Sequence, residues 1–210
     1  PRLVIKADAA FDAGYVEGYM LGDAMKHNLE ATKFLKKATL LAGAPFNFKN
    51  RNKYLADIAS TVPEQYINEM RGKVKGYNDW LLAHHPDAQP LDADYYFLLQ
   101  LLPDFLNYNP FRSAAQHGQQ HAVSMPNIYS PACTTAALRL GDYTFVMRVL
   151  DWPSYNVAGK YFLQMDRTIG NARRTVDIGI PLISGALTVL NDKGALFEMN
   201  VSHGEKVKEA

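Results

Sequence analysis

Two patterns of hydrophobic positions divide the chain. Up to about residue 110, apolar residues recur at spacings of three and four, which is typical of one face of a helix. After residue 133 they alternate with period two, which is typical of half-buried strands. A short strand is also predicted at the start, over residues 2–6. The sequence therefore predicts an α+β protein in which a helical first part packs against antiparallel strands.

The first predicted helix runs from about residue 10 to 37 and contains three glycines four residues apart. Gly14, Gly18 and Gly22 share one face of that helix. Because a face without side chains lets another main chain come close, we expect a neighbouring element to pack tightly there. The charged residues between the glycines argue against a membrane dimer motif.

Three further helices are predicted in the first part, over residues 53–60, from 64 to about 83, and from Asp92. Thr61 and Glu64 have the spacing of a capping box for the second of these, and Asp92 is suited to cap the third. The second carries an apolar stripe of Tyr66, Met70, Val74 and Tyr77.

The second part opens with a predicted hairpin whose turn is the Gly-Asp pair at 141–142. Pairing the strands about that turn brings Cys133 opposite Leu150 or Asp151, with Arg148 one residue further in. A thiol, a guanidinium and a carboxylate thus converge although they lie 15 and 18 residues apart in sequence. Further strands are predicted over 161–166, within 174–190 and over 195–201, with Asn200 near the end of the last.

Composition narrows the classes of function. The 210 residues include 48% hydrophobic and 20% charged residues, as in an ordinary globular protein, and the net charge of +1 argues against a nucleic-acid partner. No apolar run is long enough to span a bilayer, which still leaves peripheral contact with a membrane open. One cysteine excludes an internal disulfide and a cysteine-based metal cluster. We predict neither a metal nor a cofactor.

Two interpretations of the hairpin residues stay open from the pattern alone. A lone cysteine is by default a small buried hydrophobe, and an arginine and an aspartate on one strand are by default an ion pair. Alternatively, a break of the Ala132–Cys133 bond would give Cys133 a free α-amino group, with an ordinary pKa of roughly 7.7–8.0, to act as base for its own thiol. Asp151 could then orient that amine, and Arg148 could favour the thiolate.

The hairpin resembles a known catalytic pattern. Cys133-Thr134-Thr135, followed by Arg148-Val149-Leu150-Asp151-Trp152, is similar to the cysteine and Arg-Asn-x-Asp-aromatic motifs of cysteine N-terminal-nucleophile amidohydrolases. This superfamily includes acid ceramidase, N-acylethanolamine acid amidase, bile salt hydrolase and penicillin V acylase. The run from Gly185 to Asn200 and the helical segment 63–78 resemble further parts of the same family, in the same order.

The resemblance implies an αββα N-terminal-nucleophile fold that is made as an inactive proenzyme. Self-cleavage between Ala132 and Cys133 would leave an α subunit, 1–132, and a β subunit that begins at 133 and runs to 210. It implies that Cys133 is nucleophile and, by its amine, base, that Asp151 holds the amine, that Arg148 shapes the site and that Asn200 helps to form the oxyanion hole. The implied substrate is an N-acylated small molecule or lipid with a linear amide, and the implied compartment is extracytoplasmic.

Two departures from the family leave other functions open. Val149 stands where the family has asparagine, and the family's further asparagine and arginine have no place before Ala210. We therefore expect either that this sequence is part of a longer protein or that it is inactive alone. The alternatives are a phospholipase B-like lipid-ester hydrolase and a non-catalytic binding protein on the same fold.

Overall fold

A computed structural model of the chain describes residues 2–41, 51–100, 132–151 and 161–199. The helices of these segments are α1 (Ala10–Met20), α2 (Gly22–Leu41), α3 (Arg51–Thr61), α4 (Glu64–His84) and α5 (Ala93–Gln100). The strands are β1 (Arg2–Ala7), β2 (Ala132–Leu140), β3 (Tyr143–Asp151), β4 (Leu163–Ile169), β5 (Thr175–Gly179), β6 (Thr188–Asn191) and β7 (Leu196–Glu198). The predicted α+β class is confirmed.

The strands form two sheets. Five of them are ordered β1-β4-β5-β6-β7, with β1 parallel to β4 and the other neighbours antiparallel. The hairpin of β2 and β3 forms a separate antiparallel sheet. Because β1 pairs with β4, the predicted α and β subunits contribute to one sheet. In the part of the chain that the structure describes, no helix has the length and apolar character needed to cross a membrane.

The five-stranded sheet has two different faces. Its inner face carries buried side chains, among them Ile5, Met165, Arg167 and Asp177, which the strand register places on the same side. Arg167 pairs with Glu69 of α4, so this face packs against the helices. The outer face carries the side chains of the alternate positions, including aliphatic residues that are largely exposed: Val4, Ile178 and Leu190.

Helices α1 and α4 pack with their main chains in contact. The close packing predicted at Gly14 and Gly18 is confirmed. On α4, Gly72 and Gly76 face α1 in the same way. A Cβ atom added at any of these four glycines would lie only 1.9–2.1 Å from a main-chain oxygen of the other helix. Gly22, at the start of α2, instead faces the ring of Trp80.

The helices also pack around a hydrophobic core, to which Leu182 from the β5–β6 connection contributes. Met70, Val74 and Tyr77 belong to it as predicted, but Tyr66 is exposed, and Ile67 is the residue that begins the buried stripe of α4. The other buried members of this core are Met25, Leu29, Ile58, Leu81, Tyr96, Phe97 and Leu99.

Two helix-boundary predictions were wrong and one is confirmed. The single helix expected over 10–37 is broken at Leu21, which leaves helical geometry at φ −104° and ψ 18°. Thr61 does not cap α4, because its hydroxyl donates to the Asp57 carbonyl at 2.7 Å within α3; α4 instead starts after Pro63, whose fixed φ suits a helix start. Asp92 caps α5 as predicted, since its Oδ1 accepts the Tyr95 N–H at 2.7 Å.

Candidate active site

The hairpin places Cys133 and Arg148 on one face of the small sheet. In its register Cys133 lies opposite Leu150, as one of the two predicted pairings has it, and Thr135 lies opposite Arg148. Because directly opposite residues share a face and side chains repeat every two residues, Cys133 and Arg148 are diagonal neighbours. Gly141 makes the turn that fixes this register, with a φ of +59° that glycine adopts without strain.

The guanidinium of Arg148 is held by oxygen atoms from outside the hairpin. Its Nη1 donates to the Leu187 carbonyl at 2.8 Å and to Thr188 Oγ1 at 3.0 Å, and its Nη2 donates to the Met199 carbonyl. Nη2 also lies 3.8 Å from Cys133 Sγ. A planar guanidinium can make these contacts at once because its N–H donors have a rigid fork geometry. The result is a positive charge fixed beside the thiol.

Cys133 is a free thiol that is only partly buried. A cysteine that served merely as a small core hydrophobe would be enclosed by apolar side chains. Here the residue is instead only half-buried and its sulfur lies within hydrogen-bond reach of a cation, which is the kind of surrounding in which reactive cysteines are found.

The main chain also brings the predicted cleavage position into the same region. Ala132 is the first residue of β2 and pairs with Asp151, so Asp151 lies across from the residue that precedes Cys133. The side chain of Asp151 and the whole of Asn200 lie outside the part that the structure describes. Met199, the residue before Asn200, contributes its carbonyl to Arg148 and its N–H to the Leu187 carbonyl at 3.1 Å.

Sequence reasoning missed the acceptors that orient Arg148. Two of them, at Leu187 and Met199, are main-chain carbonyls. Every residue has such a carbonyl, so the residue type does not indicate which one binds Arg148. The third, Thr188, stands in a β-branched run where threonine is ordinary strand composition. Among the described residues, no group of three or more His, Cys, Asp or Glu side chains is arranged to hold a metal ion.

No protein-family model matches the chain. A search of curated protein sequences found no match either.

Proposed function

We propose that this chain is a self-processing cysteine amidohydrolase that hydrolyses linear amides of N-acylated small molecules or lipids. The observation that supports this most is the position of the Arg148 guanidinium, whose Nη2 is held 3.8 Å from the Cys133 sulfur. Cys133 is the second residue of its strand. The proposed fold is the αββα N-terminal-nucleophile fold, in which Asp151 orients the freed amine and Asn200 helps to form the oxyanion hole.

Maturation consists of a main-chain cleavage that uses the same thiol. Cys133 Sγ attacks the carbonyl carbon of Ala132, the C–N bond between the two residues breaks, and the nitrogen takes up the proton that the thiol gives up. Water then hydrolyses the resulting thioester. The products are a carboxylate on Ala132 and a Cys133 that carries both a free thiol and a free α-amine.

Catalysis then repeats that chemistry on an external amide. The Cys133 amine removes the thiol proton, the thiolate attacks the acyl carbon, and the same proton passes to the departing amine. Hydrolysis of the thioester releases a carboxylic acid and restores the enzyme. Arg148 supports each attack electrostatically, because a fixed cation stabilises the sulfur anion without reorganising.

The surface beside the site favours an acyl chain as the substrate's non-reacting part. Thr188, which binds Arg148, lies on the outer face directly opposite Ile178 in the strand register. Leu190 follows two residues along the same face, and both aliphatic side chains are more than 40% exposed. Burying such apolar surface under a hydrocarbon tail contributes about 25 cal/mol per Å² to the binding free energy. We therefore propose that the tail lies over Ile178 and Leu190.

A substrate panel tests this function. Purified protein is incubated with N-acyl amides of increasing chain length and with phospholipids, and released fatty acid is measured. We expect acid from the amides, none after Cys133→Ala, and normal release after Arg139→Ala, an exposed cation on the same hairpin face. Release from phospholipids alone would favour the ester hydrolase. No release from any compound, with binding retained, would favour the non-catalytic protein.

A further inference from the structure

Five charged side chains are buried together between the helices and the inner face of the five-stranded sheet. Glu17 comes from α1, Glu69 and Lys73 from α4, Arg167 from β4 and Asp177 from β5. Each of these side chains is 13% exposed or less. We call this group the buried charge cluster.

The cluster is joined by ion pairs that differ in quality. Lys73 pairs with Glu17, and its Nζ also donates to the Ile183 carbonyl at 3.3 Å. Arg167 pairs closely with Glu69. Its second carboxylate contact is longer, with Arg167 Nη1 lying 3.5 Å from Asp177 Oδ2. Among the described residues, nothing donates a hydrogen bond to Asp177 Oδ1, although that atom is buried.

The charges in the cluster do not balance. Three carboxylates face two cations, so full ionisation leaves one excess negative charge away from water. Among the described residues, Tyr96 of α5 and Thr175 of β5 also face the cluster. Both side chains are neutral, and the Thr175 hydroxyl donates a hydrogen bond to the Asp177 carboxylate. An uncompensated buried charge costs several kcal/mol, and a carboxylic acid avoids that cost by holding a proton.

We propose that the buried charge cluster binds one proton, on Asp177, and that this proton makes the α1–α4 pair dock more firmly on the sheet in acid than at neutral pH. Asp177 is the site because, of the three carboxylates, it has the longest ion-pair contact, and its Oδ1 has no donor in the described part of the chain. Glu17 Oε1 also lacks a hydrogen-bond partner there, but the ammonium of Lys73 pairs closely with that oxygen. The other two carboxylates each have a close cation. The inference does not depend on the proposed hydrolase activity.

The electrostatics of Asp177 agree with this geometry. Burial raises the pKa of its carboxyl above the ordinary 3.8, and nearby Glu17 raises it further, while Thr175 and Arg167 act in the opposite direction. A folded-state pKa above the unfolded one means that the folded protein binds the proton more tightly. The stabilisation is therefore complete below pH 3.8 and is lost as pH rises through the raised pKa. If the folded-state pKa exceeds the unfolded one by one unit, the folding constant is ten times smaller at high pH than it is below pH 3.8.

Urea unfolding from pH 4 to pH 8 tests the proposal, with the full chain carrying Cys133→Ala so that no cleavage contributes. We expect the folding constant of the parent to fall, relative to that of Asp177→Asn, as pH rises. The variant should be at least as stable as the parent at pH 8, because asparagine is neutral and close in size. Asp192→Asn, at an exposed carboxylate near the end of β6, should leave the pH dependence of the parent unchanged. Parallel curves for the parent and Asp177→Asn would overturn the proposal.

A direct titration keeps the test decisive even if the variant folds poorly. The side-chain carboxyl carbon of Asp177 is followed by NMR against pH in the parent chain. A midpoint above 3.8 is the expected result. A midpoint at or below 3.8 would show that the folded protein binds this proton no more tightly than the unfolded chain does, and would overturn the proposal whatever the variant does.

Discussion

Arg148 is the residue that distinguishes Cys133 from an ordinary lone thiol. A flexible surface arginine would lose much of its electrostatic effect to solvent and to side-chain entropy. Arg148 is instead held by the Leu187 carbonyl, Thr188 and the Met199 carbonyl, so its charge stays beside the sulfur. The positioning of this one side chain underlies the proposed chemistry.

Replacing Arg148 should therefore impair both self-cleavage and amide hydrolysis. For Arg148→Ala we expect rates about 100-fold lower, the usual cost of removing one preorganised electrostatic donor. Arg148→Lys should lie between the parent and alanine, because a single ammonium keeps the charge but cannot satisfy three oxygens at fixed angles. Single-turnover rates of cleavage and of fatty-acid release measure both. Equal loss in Arg139→Ala, whose side chain donates to the Gly141 carbonyl, would contradict this role.

Asp166 should stabilise the protein in the opposite pH range from Asp177. Hydrogen bonds from Arg174 and then Arg2 lower the pKa of the Asp166 carboxyl well below 3.8. Because the depressed pKa belongs to the folded state, the stabilisation is present above pH 3.8 and lost as pH falls through the lowered pKa. Unfolding of the parent and Asp166→Asn between pH 2 and 6 should show a stability difference that shrinks in acid. High salt should reduce that difference, since both arginines are more than half exposed. A stability difference between the parent and Asp166→Asn that does not change with pH would contradict this role of Asp166.

At the scale of elements, the sequence predicts best what is local. The β2–β3 hairpin follows from period-two alternation around a Gly-Asp turn, and its register follows from that turn. The close α1–α4 packing follows from glycines on one face. Thr61 shows the limit of local patterns. A threonine hydroxyl between two helices can accept from an N–H of the following helix or donate to a carbonyl of the preceding one. Here it donates to the Asp57 carbonyl of α3. The contacts of Arg148 with Leu187 and Met199, and that of Arg167 with Glu69, join distant segments, and no local pattern encodes them.

An alanine at Gly18 should separate α1 from α4. Alanine favours a helix by about 1 kcal/mol over glycine. Its Cβ, however, would lie 2.0 Å from the Lys73 carbonyl oxygen, a main-chain atom that cannot rotate away. We expect Gly18→Ala to lower the free energy of unfolding by about 2–3 kcal/mol, in the range of overpacked cores. Gln65→Ala, at an exposed position of α4, is the matched control. Urea titration decides, and an unchanged midpoint for Gly18→Ala would contradict the described packing.

At the scale of the whole molecule, the predicted cleavage position divides a structure that is joined elsewhere. β1, from before the position, pairs with β4, from after it, through six residue pairs. The buried charge cluster also joins the two parts, because Glu17, Glu69 and Lys73 precede residue 132 while Arg167 and Asp177 follow it. A cut at Ala132–Cys133 therefore leaves these contacts in place.

The two pieces should accordingly remain together after cleavage. Size-exclusion chromatography of processed protein in native buffer should give a single species with the mass of the uncut chain. In denaturant the same sample should separate into two polypeptides. Two separate peaks in native buffer would show that the shared sheet does not hold the pieces together.

Intact-mass measurement of the purified chain during incubation at mildly acidic and neutral pH tests the central claim most directly. The account predicts conversion to two fragments, one of which begins at Cys133 by N-terminal sequencing, and no conversion in Cys133→Ala. A chain that stays whole under every condition would contradict the claim that Cys133 is freed by its own thiol. Cleavage of the Cys133→Ala variant at the same bond would contradict it as well.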